Sequence, residues 1–162
     1  RQCTEIIKDL KEHTMRISPP ALTLLCLCGI LLLSWALPGL KLKFSGQIYV
    51  AIFLVVVGVV VGLTAIRRFY QFDTTVLPQE MDRSSALVTS GILKLSRNPM
   101  YLGMAAVIAG VGIGIGTWVM LPILGLFVFW ITEYQIKPEE RSLVKIFGSE
   151  FEDYKSKVRR WI

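Results

Sequence analysis

The stretch that decides the fold is Ser96-Arg97-Asn98-Pro99-Met100-Tyr101-Leu102-Gly103, where a polar segment gives way to a long apolar one. Asparagine is a favoured N-cap and proline a favoured first helical residue, so this stretch predicts a helix that begins near Pro99. About forty residues later, the apolar region ends at Gln135-Ile136-Lys137-Pro138-Glu139-Glu140. If the region between them crosses a membrane and returns, the two polar junctions lie side by side.

The composition of the chain predicts a membrane protein. Hydrophobic residues make up 53% of its 162 residues, more than in an ordinary soluble domain. Apolar runs cover roughly 19–40, 47–66 and 100–134, and a helix needs about 20 residues to cross the hydrocarbon layer. The third run is too long for one span, and glycines near its middle divide it into helices over about 100–114 and 117–135. The sequence therefore predicts an all-α integral membrane bundle of about four transmembrane helices.

The basic residues predict the orientation of this bundle. All but two of the 18 lysines and arginines flank the predicted spans on one side, and only Lys41 and Lys43 lie on the other. Because lysine and arginine stay on the cytoplasmic side, both termini and the 67–99 segment are expected in the cytosol. The net charge of +6 then lies at a membrane surface, where anionic headgroups attract it. A lipid bilayer is therefore the expected partner, and nucleic acid is not.

The few cysteines and histidines exclude several kinds of site. His13 is the only histidine, and the three cysteines are Cys3, Cys26 and Cys28. Side chains two apart in a helix point to different faces, so Cys26 and Cys28 do not form a cluster. Neither a metal site, nor a disulfide framework, nor a Ser-His-Asp triad is expected.

Both polar junctions have a structural and a functional interpretation. Arg97 can extend to lipid phosphates beside an ordinary helix start, or the helix N-terminus can bind the carboxylate of a ligand. Glu139 and Glu140 can complement the dipole of a helix that follows Pro138, or a carboxylate there can accept hydrogen bonds from a ribose diol. The long polar segment 67–99 is likewise either a functional loop or interfacial packing.

An apolar stripe predicts a C-terminal amphipathic helix. Its members recur every three or four residues, as one face of a helix requires. Such a helix either lies along the membrane surface or closes over the cytoplasmic end of the bundle. The stripe consists of Leu143, Phe147, Phe151, Tyr154, Val158 and Trp161.

Four ordered motifs give the chain a family resemblance. Over roughly residues 74–162 it resembles the isoprenylcysteine carboxyl methyltransferases and their phospholipid N-methyltransferase relatives, especially short prokaryotic members. The first two spans are generic and add nothing to the resemblance. The motifs are Leu87-Val88-Thr89-Ser90-Gly91, then Arg97-Asn98-Pro99-Met100-Tyr101-Leu102-Gly103, then Glu139-Glu140, then Phe147-Gly148-Ser149-Glu150-Phe151 with Tyr154.

The resemblance implies a membrane-embedded enzyme that transfers a methyl group from S-adenosylmethionine to a lipophilic acceptor. It implies one domain over 1–162, with N-terminal spans over 1–66, a catalytic region over 67–162, a cytoplasmic cofactor pocket and an acceptor that enters from the bilayer. Tyr101 and Arg97 become candidate catalytic residues, and Gln135 and Glu140 candidate substrate-binding residues. The implied cofactor-binding residues are Pro78, Gln79, Ser85, Ala86, Leu87, Val88, Leu93, Asn98, Pro99, Met100, Tyr101 and Glu139.

Three positions depart from the family pattern. Asn98 replaces a histidine, Leu93 replaces a pocket tyrosine, and Gln135 replaces an arginine that faces the carboxylate of a prenylcysteine substrate. A neutral amide cannot form the charge-assisted pair that arginine forms with a carboxylate, so the acceptor stays open between prenylcysteine, a phospholipid amine and a small thiol. A nicotinamide-dependent membrane reductase and a non-enzymatic four-span scaffold are the alternatives from other classes.

Overall fold

Helices form most of the part of the chain that the computed structural model describes, residues 17–71, 87 and 89–162. Within these ranges the only β-structure is one isolated bridge between Lys41 and Thr117. The elements in chain order are α1 (Pro19–Ala36), α2 (Gln47–Gln71), a 3₁₀ turn (Gly91–Lys94), α3 (Pro99–Ile115), α4 (Met120–Ile131), a π turn (Thr132–Ile136), α5 (Lys137–Phe147) and α6 (Ser149–Lys157).

Within the described part of the chain, two helices are long and apolar enough to cross a membrane. They are α1 and the Gln47–Arg67 part of α2, and only 11% and 17% of their apolar windows are buried within the protein. The core helix of a soluble protein would be mostly buried, whereas these helices turn residues such as Leu32 and Phe53 outward, as lipid contact requires. With 17 and 12 residues, α3 and α4 are shorter, so the four-span count stays a prediction.

The turn predicted within the third apolar run is confirmed. Helix α3 ends at Ile115, and Gly116 follows with a φ of 78°, in the left-handed region that favours glycine. The second helix of the hairpin differs from the prediction at its far end. It continues through the π turn into α5 and ends only at Phe147. The polar junction around Glu139 therefore lies on a helix that is continuous with the α3–α4 hairpin.

Glycines let α2 and α3 pack closely, and this pair makes the most extensive contact of the fold. A Cβ at Gly103 would lie 2.5 Å from the backbone oxygen of Gly58, and a Cβ at Gly110 would lie 2.9 Å from that of Ala51. Small residues of this kind allow helix backbones to approach inside a membrane. The seam fixes where the start of α3 lies relative to α2.

The predicted C-terminal amphipathic helix is divided in two. Gly148, with a φ of 52°, separates α5 from α6, so a single helix over the whole stripe is wrong. The stripe packs within the protein, since Phe151 and Tyr154 are buried and its other members are half-buried. The chain then turns back, and Trp161 donates a hydrogen bond from Nε1 to Thr132 Oγ1 at 3.3 Å. The C-terminal segment, residues 158–162, thus closes over one end of the bundle.

The two ends of the bundle contain different parts of the chain. The motif end comprises residues 91–101 and 132–162. The loop end comprises the loop 37–46 and the turn 116–119, which are tied together by backbone hydrogen bonds from Leu42 N–H to Gly116 O (2.8 Å) and from Trp118 N–H to Leu40 O (3.0 Å).

Candidate active site

The start of α3 lies where the sequence predicts it. Pro99 is the first helical residue and Asn98 the N-cap, but the Asn98 side chain makes no capping bond. Instead, its Nδ2 donates to the backbone oxygen of Arg160 at 2.9 Å, and its N–H donates to Ser96 Oγ at 3.1 Å. Asn98 therefore joins the start of α3 to the C-terminal segment.

A buried hydrogen-bonded network joins the two polar junctions. Tyr101 donates from its hydroxyl to Glu139 Oε1 at 2.6 Å, and Gln135 Nε2 donates to the same oxygen at 2.7 Å. All three residues are 6–7% exposed. Burial of a carboxylate is costly unless hydrogen-bond donors surround it, and these two donors offset that cost. The prediction that the junctions are neighbours is confirmed.

The π turn explains why Gln135 and Glu139 point inward together. The buried positions Phe127, Ile131, Gln135 and Glu139 recur every four residues. In a regular α-helix of 3.6 residues per turn, residues four apart drift around the axis by about 40° at each step. The π turn at Thr132–Ile136 has wider, i→i+5 hydrogen bonding and takes up this drift. It therefore brings Glu139 back to the face that packs on α3.

A second cluster pairs one carboxylate with two guanidinium groups. Arg160 Nε and Nη2 donate to Glu140 Oε1 and Oε2 at 3.0 and 2.7 Å. These hydrogen bonds raise the pKa of Arg160. Partial burial lowers it, but by less than the hydrogen bonds raise it. Arg97 Nη1 lies 2.9 Å from Glu140 Oε1, within ion-pair distance. The cluster therefore contains one more positive charge than negative.

Arg97 is incompletely partnered. Its side chain is only 10% exposed, yet Nε and Nη1 have no partner in hydrogen-bonding direction among the described residues. The 2.9 Å approach to Glu140 supplies Coulomb attraction, which depends on distance, but not a directed hydrogen bond. Buried donors of this kind are uncommon in native proteins and require an explanation.

The C-terminal segment supplies contacts that the sequence analysis missed. Arg97 N–H donates to the backbone oxygen of Arg159 at 3.0 Å, and Ser96 Oγ donates to that of Arg160 at 3.3 Å. Tyr154 donates from its hydroxyl to the backbone oxygen of Leu93 at 2.6 Å. Burial raises the pKa of Tyr154 to about 12, although the charge of Arg97 lowers it. The only sequence signal was a pair of arginines beside the last member of the apolar stripe.

The structure brings predicted site residues together in two contacts. Tyr101 and Gln135 meet at Glu139, and Arg97 lies beside Glu140. Asn98 instead contacts Arg160, while Pro99 is buried and Met100 half-buried. Leu93 is buried under α6, and Leu87 is half-buried. Within the described residues, no group of three or more His, Cys, Asp or Glu side chains is placed to hold a metal ion. The remaining predicted cofactor residues lie outside the described residues: Pro78, Gln79, Ser85, Ala86 and Val88.

Comparison with known protein families shows the family to which this chain belongs. The model of the phospholipid methyltransferase family matches residues 46–150, which include α2, α3 and the Glu139-Glu140 pair. The chain belongs to this family. The phospholipid methyltransferase match confirms the resemblance drawn from the motifs, and it covers both polar junctions that the structure brings into contact.

Parts of the chain are similar in sequence to two known proteins. The chain is 29% identical over 83 residues to a protein-S-isoprenylcysteine O-methyltransferase of Schizosaccharomyces pombe, covering 51% of this chain and 35% of the yeast protein. It is 33% identical over 63 residues to an uncharacterized protein of Haemophilus influenzae, covering 39% of this chain and all of that protein. The chain thus spans about a third of the length of the yeast enzyme. No solved structure gives a significant match.

Proposed function

We propose that this protein transfers a methyl group from S-adenosylmethionine to a lipophilic acceptor, with the motif end as its active site. The observation that carries the proposal is the contact between the Arg97-to-Tyr101 stretch and the Glu139-Glu140 pair, in a chain of the phospholipid methyltransferase family. A scaffold protein would have no need to bury a carboxylate between a tyrosine and an amide at this point.

The residues at the motif end fit the chemistry of this cofactor. S-adenosylmethionine carries a carboxylate, a ribose diol and a sulfonium whose methyl group is electrophilic. The buried, incompletely partnered nitrogens of Arg97 suit the carboxylate. Glu139 is the residue to accept hydrogen bonds from the ribose hydroxyls. Tyr101 and Gln135 orient its carboxylate for that role.

Catalysis at this site would depend mainly on positioning. Methyl transfer by direct displacement needs the acceptor atom about 3–3.5 Å from the methyl carbon and in line with the leaving sulfur. The C-terminal segment holds Arg97 and Asn98 through Arg159 and Arg160, and so fixes the cofactor side of that geometry. Its closure over the bundle end also excludes water from the reacting atoms.

Gln135 restricts the choice of acceptor. Its amide donates to Glu139 and is 6% exposed, so this position offers no free positive charge to an acceptor carboxylate. We therefore propose that the acceptor group is neutral or an amine, with an aminophospholipid as the first candidate and a small thiol as the second. A prenylcysteine carboxylate should be a poor acceptor.

The acceptor proposal is tested by measuring methyl transfer from labelled S-adenosylmethionine to three compounds. These are a farnesylcysteine analogue, an aminophospholipid and a simple thiol, each presented in the same detergent. We expect the aminophospholipid to be methylated fastest. Gln135→Arg should raise turnover of the farnesylcysteine by about tenfold, or about 1.4 kcal/mol of transition-state stabilisation, whereas Gln135→Asn should not. Strong preference of the wild-type protein for the farnesylcysteine would overturn the proposed role of Gln135.

We further propose that the motif end faces the cytosol. The uneven distribution of lysine and arginine supports this orientation. In a cysteine-free background, single cysteines at the exposed positions Ser45 and Ser149 report on the two ends. In sealed vesicles of known sidedness, an impermeant thiol reagent should label them from opposite sides, with Ser149→Cys on the cytosolic side. Labelling of both from one side would contradict the proposed number of spans.

A further inference from the structure

The loop end contains a half-open cavity of about 610 Å³, far from the motif end. Its walls come from the end of α1, the loop 37–46, the start of α2 and the end of the α3–α4 hairpin. The volume lies in the range of small-molecule sites. The lining residues are Ser34, Trp35, Leu37, Leu40, Lys41, Leu42, Lys43, Phe44, Gln47, Ile115, Gly116 and Thr117.

Most polar side chains in the wall are already hydrogen-bonded within the protein. Gln47 Nε2 donates to Ile113 O at 2.6 Å, Thr117 Oγ1 donates to Leu40 O at 3.3 Å, and Ser34 Oγ donates to Leu31 O at 2.9 Å. These bonds leave the ammonium groups of Lys41 and Lys43 as the main polar groups for a ligand. A ligand that carries negative charge and accepts hydrogen bonds would therefore suit the cavity.

The two lysines act together because of the local backbone. Lys41 pairs with Thr117 in the isolated bridge, and Leu42 N–H donates to Gly116 O in the same extended stretch. Side chains alternate in extended chain, so Lys41 and Lys43 project to one side while Leu42 packs toward the core. Two ammonium groups thus face the same region of the loop end.

Among the described residues, no acidic side chain pairs with Lys41 or Lys43. The sequence contains no aspartate or glutamate between Glu12 and Asp73, and none between Asp82 and Glu133. The lysines therefore attract an anion without competition from a neighbouring carboxylate.

The rest of the wall is apolar and lies at the membrane boundary. Trp35 is 85% exposed at the end of α1, and Phe44 and Ile115 are 44% and 38% exposed. Tryptophan in such a position is typical of the membrane interface. The cavity therefore combines two cations with an apolar wall that continues onto lipid-facing helices.

We propose that the loop end binds the headgroup of an anionic phospholipid from the surrounding leaflet. The lipid phosphate lies between Lys41 and Lys43, and its acyl chains extend past Trp35 and Ile115. The site is separate from the methyl-transfer site, so the proposal does not depend on the proposed function.

The test measures binding of short-chain lipids to the purified full-length protein in detergent by titration calorimetry. Phosphatidylglycerol should bind at least tenfold more tightly than phosphatidylcholine of the same chain length. The Lys41→Gln/Lys43→Gln variant should lose about thirtyfold in affinity for phosphatidylglycerol, equivalent to about 1 kcal/mol for each lysine near a lipid surface.

Three controls separate the possible outcomes. Lys145→Gln/Lys157→Gln removes the same charge from exposed positions at the motif end, and should leave binding unchanged. Lys41→Arg/Lys43→Arg keeps the charge and should retain binding. Inorganic phosphate should bind far more weakly than the lipid. Equal binding of the two lipids, full affinity in the glutamine variant, or phosphate binding as tight as lipid binding would each overturn the proposal.

Discussion

The motif end and the loop end differ in how their charges are balanced. At the motif end, the carboxylates of Glu139 and Glu140 meet hydroxyl, amide and guanidinium donors at 2.6–3.0 Å, and the C-terminal segment closes over them. At the loop end, Lys41 and Lys43 have no acid near them in sequence, and the cavity beside them is half open. A closed network in which the carboxylates are paired with donors is suited to holding a polar cofactor in fixed geometry. An open site with two unpaired lysines is suited to exchanging a lipid.

The close glycine contact between α2 and α3 should show the largest effect on stability when it is disrupted, because it holds both ends of α3 in place against α2. In Gly103→Ala the new Cβ would lie 2.5 Å from Gly58 O, so the helices must separate. We expect a loss of about 3 kcal/mol, the upper part of the usual range for overpacking, read as a lowered thermal midpoint in detergent.

Gly62→Ala is the matched control for the seam. A Cβ there meets nothing within 4 Å, and alanine is favoured over glycine inside a helix by about 0.5–1 kcal/mol. The control should therefore be neutral or slightly stabilising. Equal destabilisation by both substitutions would show that helix flexibility, rather than the close contact, decides stability here.

Removal of Arg160 tests whether the motif end depends on the pairing of Glu140 with Arg160. Arg160→Ala deletes two hydrogen bonds to Glu140, but a third of the side chain is exposed. Solvent screening therefore limits the expected loss of stability to about 1 kcal/mol. Arg159→Ala removes the same charge next to it, yet keeps the backbone oxygen that accepts from Arg97. Chemical denaturation should separate the two variants, and similar losses would argue against a specific role for Glu140.

The effect on the loop end sharpens the same comparison. Arg160→Ala should weaken S-adenosylhomocysteine binding, because Arg160 lies at the motif end. It should leave phosphatidylglycerol binding unchanged, because Lys41 and Lys43 lie at the opposite end of the bundle. Weaker binding of both ligands would mean that the two ends are coupled.

Tyr154 should give the smallest effect. Tyr154→Phe removes the hydrogen bond to Leu93 O, which is expected to cost about 1 kcal/mol at neutral pH. Since the folded pKa is raised to about 12, the hydroxyl favours folding fully below its ordinary pKa of about 10. That contribution is lost as the pH rises toward 12. The stability difference between wild type and Tyr154→Phe should therefore shrink over this interval, and a constant difference would contradict the assignment.

The sequence predicted the parts of the structure that depend on residue type. Proline after asparagine marked the start of α3, the glycines near the middle of the third apolar run marked the hairpin turn, and the predicted membrane passage between the junctions implied that they meet. The contacts of the C-terminal segment were not predictable in this way, because the backbone oxygens of Arg159 and Arg160 accept the hydrogen bonds. Every residue has a backbone oxygen, so no sequence pattern indicates which of these oxygens accepts a given hydrogen bond.

The π turn and the division at Gly148 also escaped prediction. An apolar stripe indicates which face is buried but not how many residues each turn contains. The contact of Gln135 with Glu139 escaped prediction for the same reason, because the π turn directs the amide toward that carboxylate. The acceptor-facing role of Gln135 stays a prediction.

The central claim is that the motif end binds S-adenosylmethionine through Glu139, and equilibrium binding of S-adenosylhomocysteine tests it most directly. The wild-type protein in detergent should bind this ligand and not NADPH. Glu139→Ala should weaken binding by roughly tenfold to hundredfold, as expected for lost hydrogen bonds to a charged group. Glu133→Ala, which removes a partly exposed carboxylate paired with Lys137, should not. Unchanged affinity in a folded Glu139→Ala protein, or preferential binding of NADPH by the wild type, would contradict the claim.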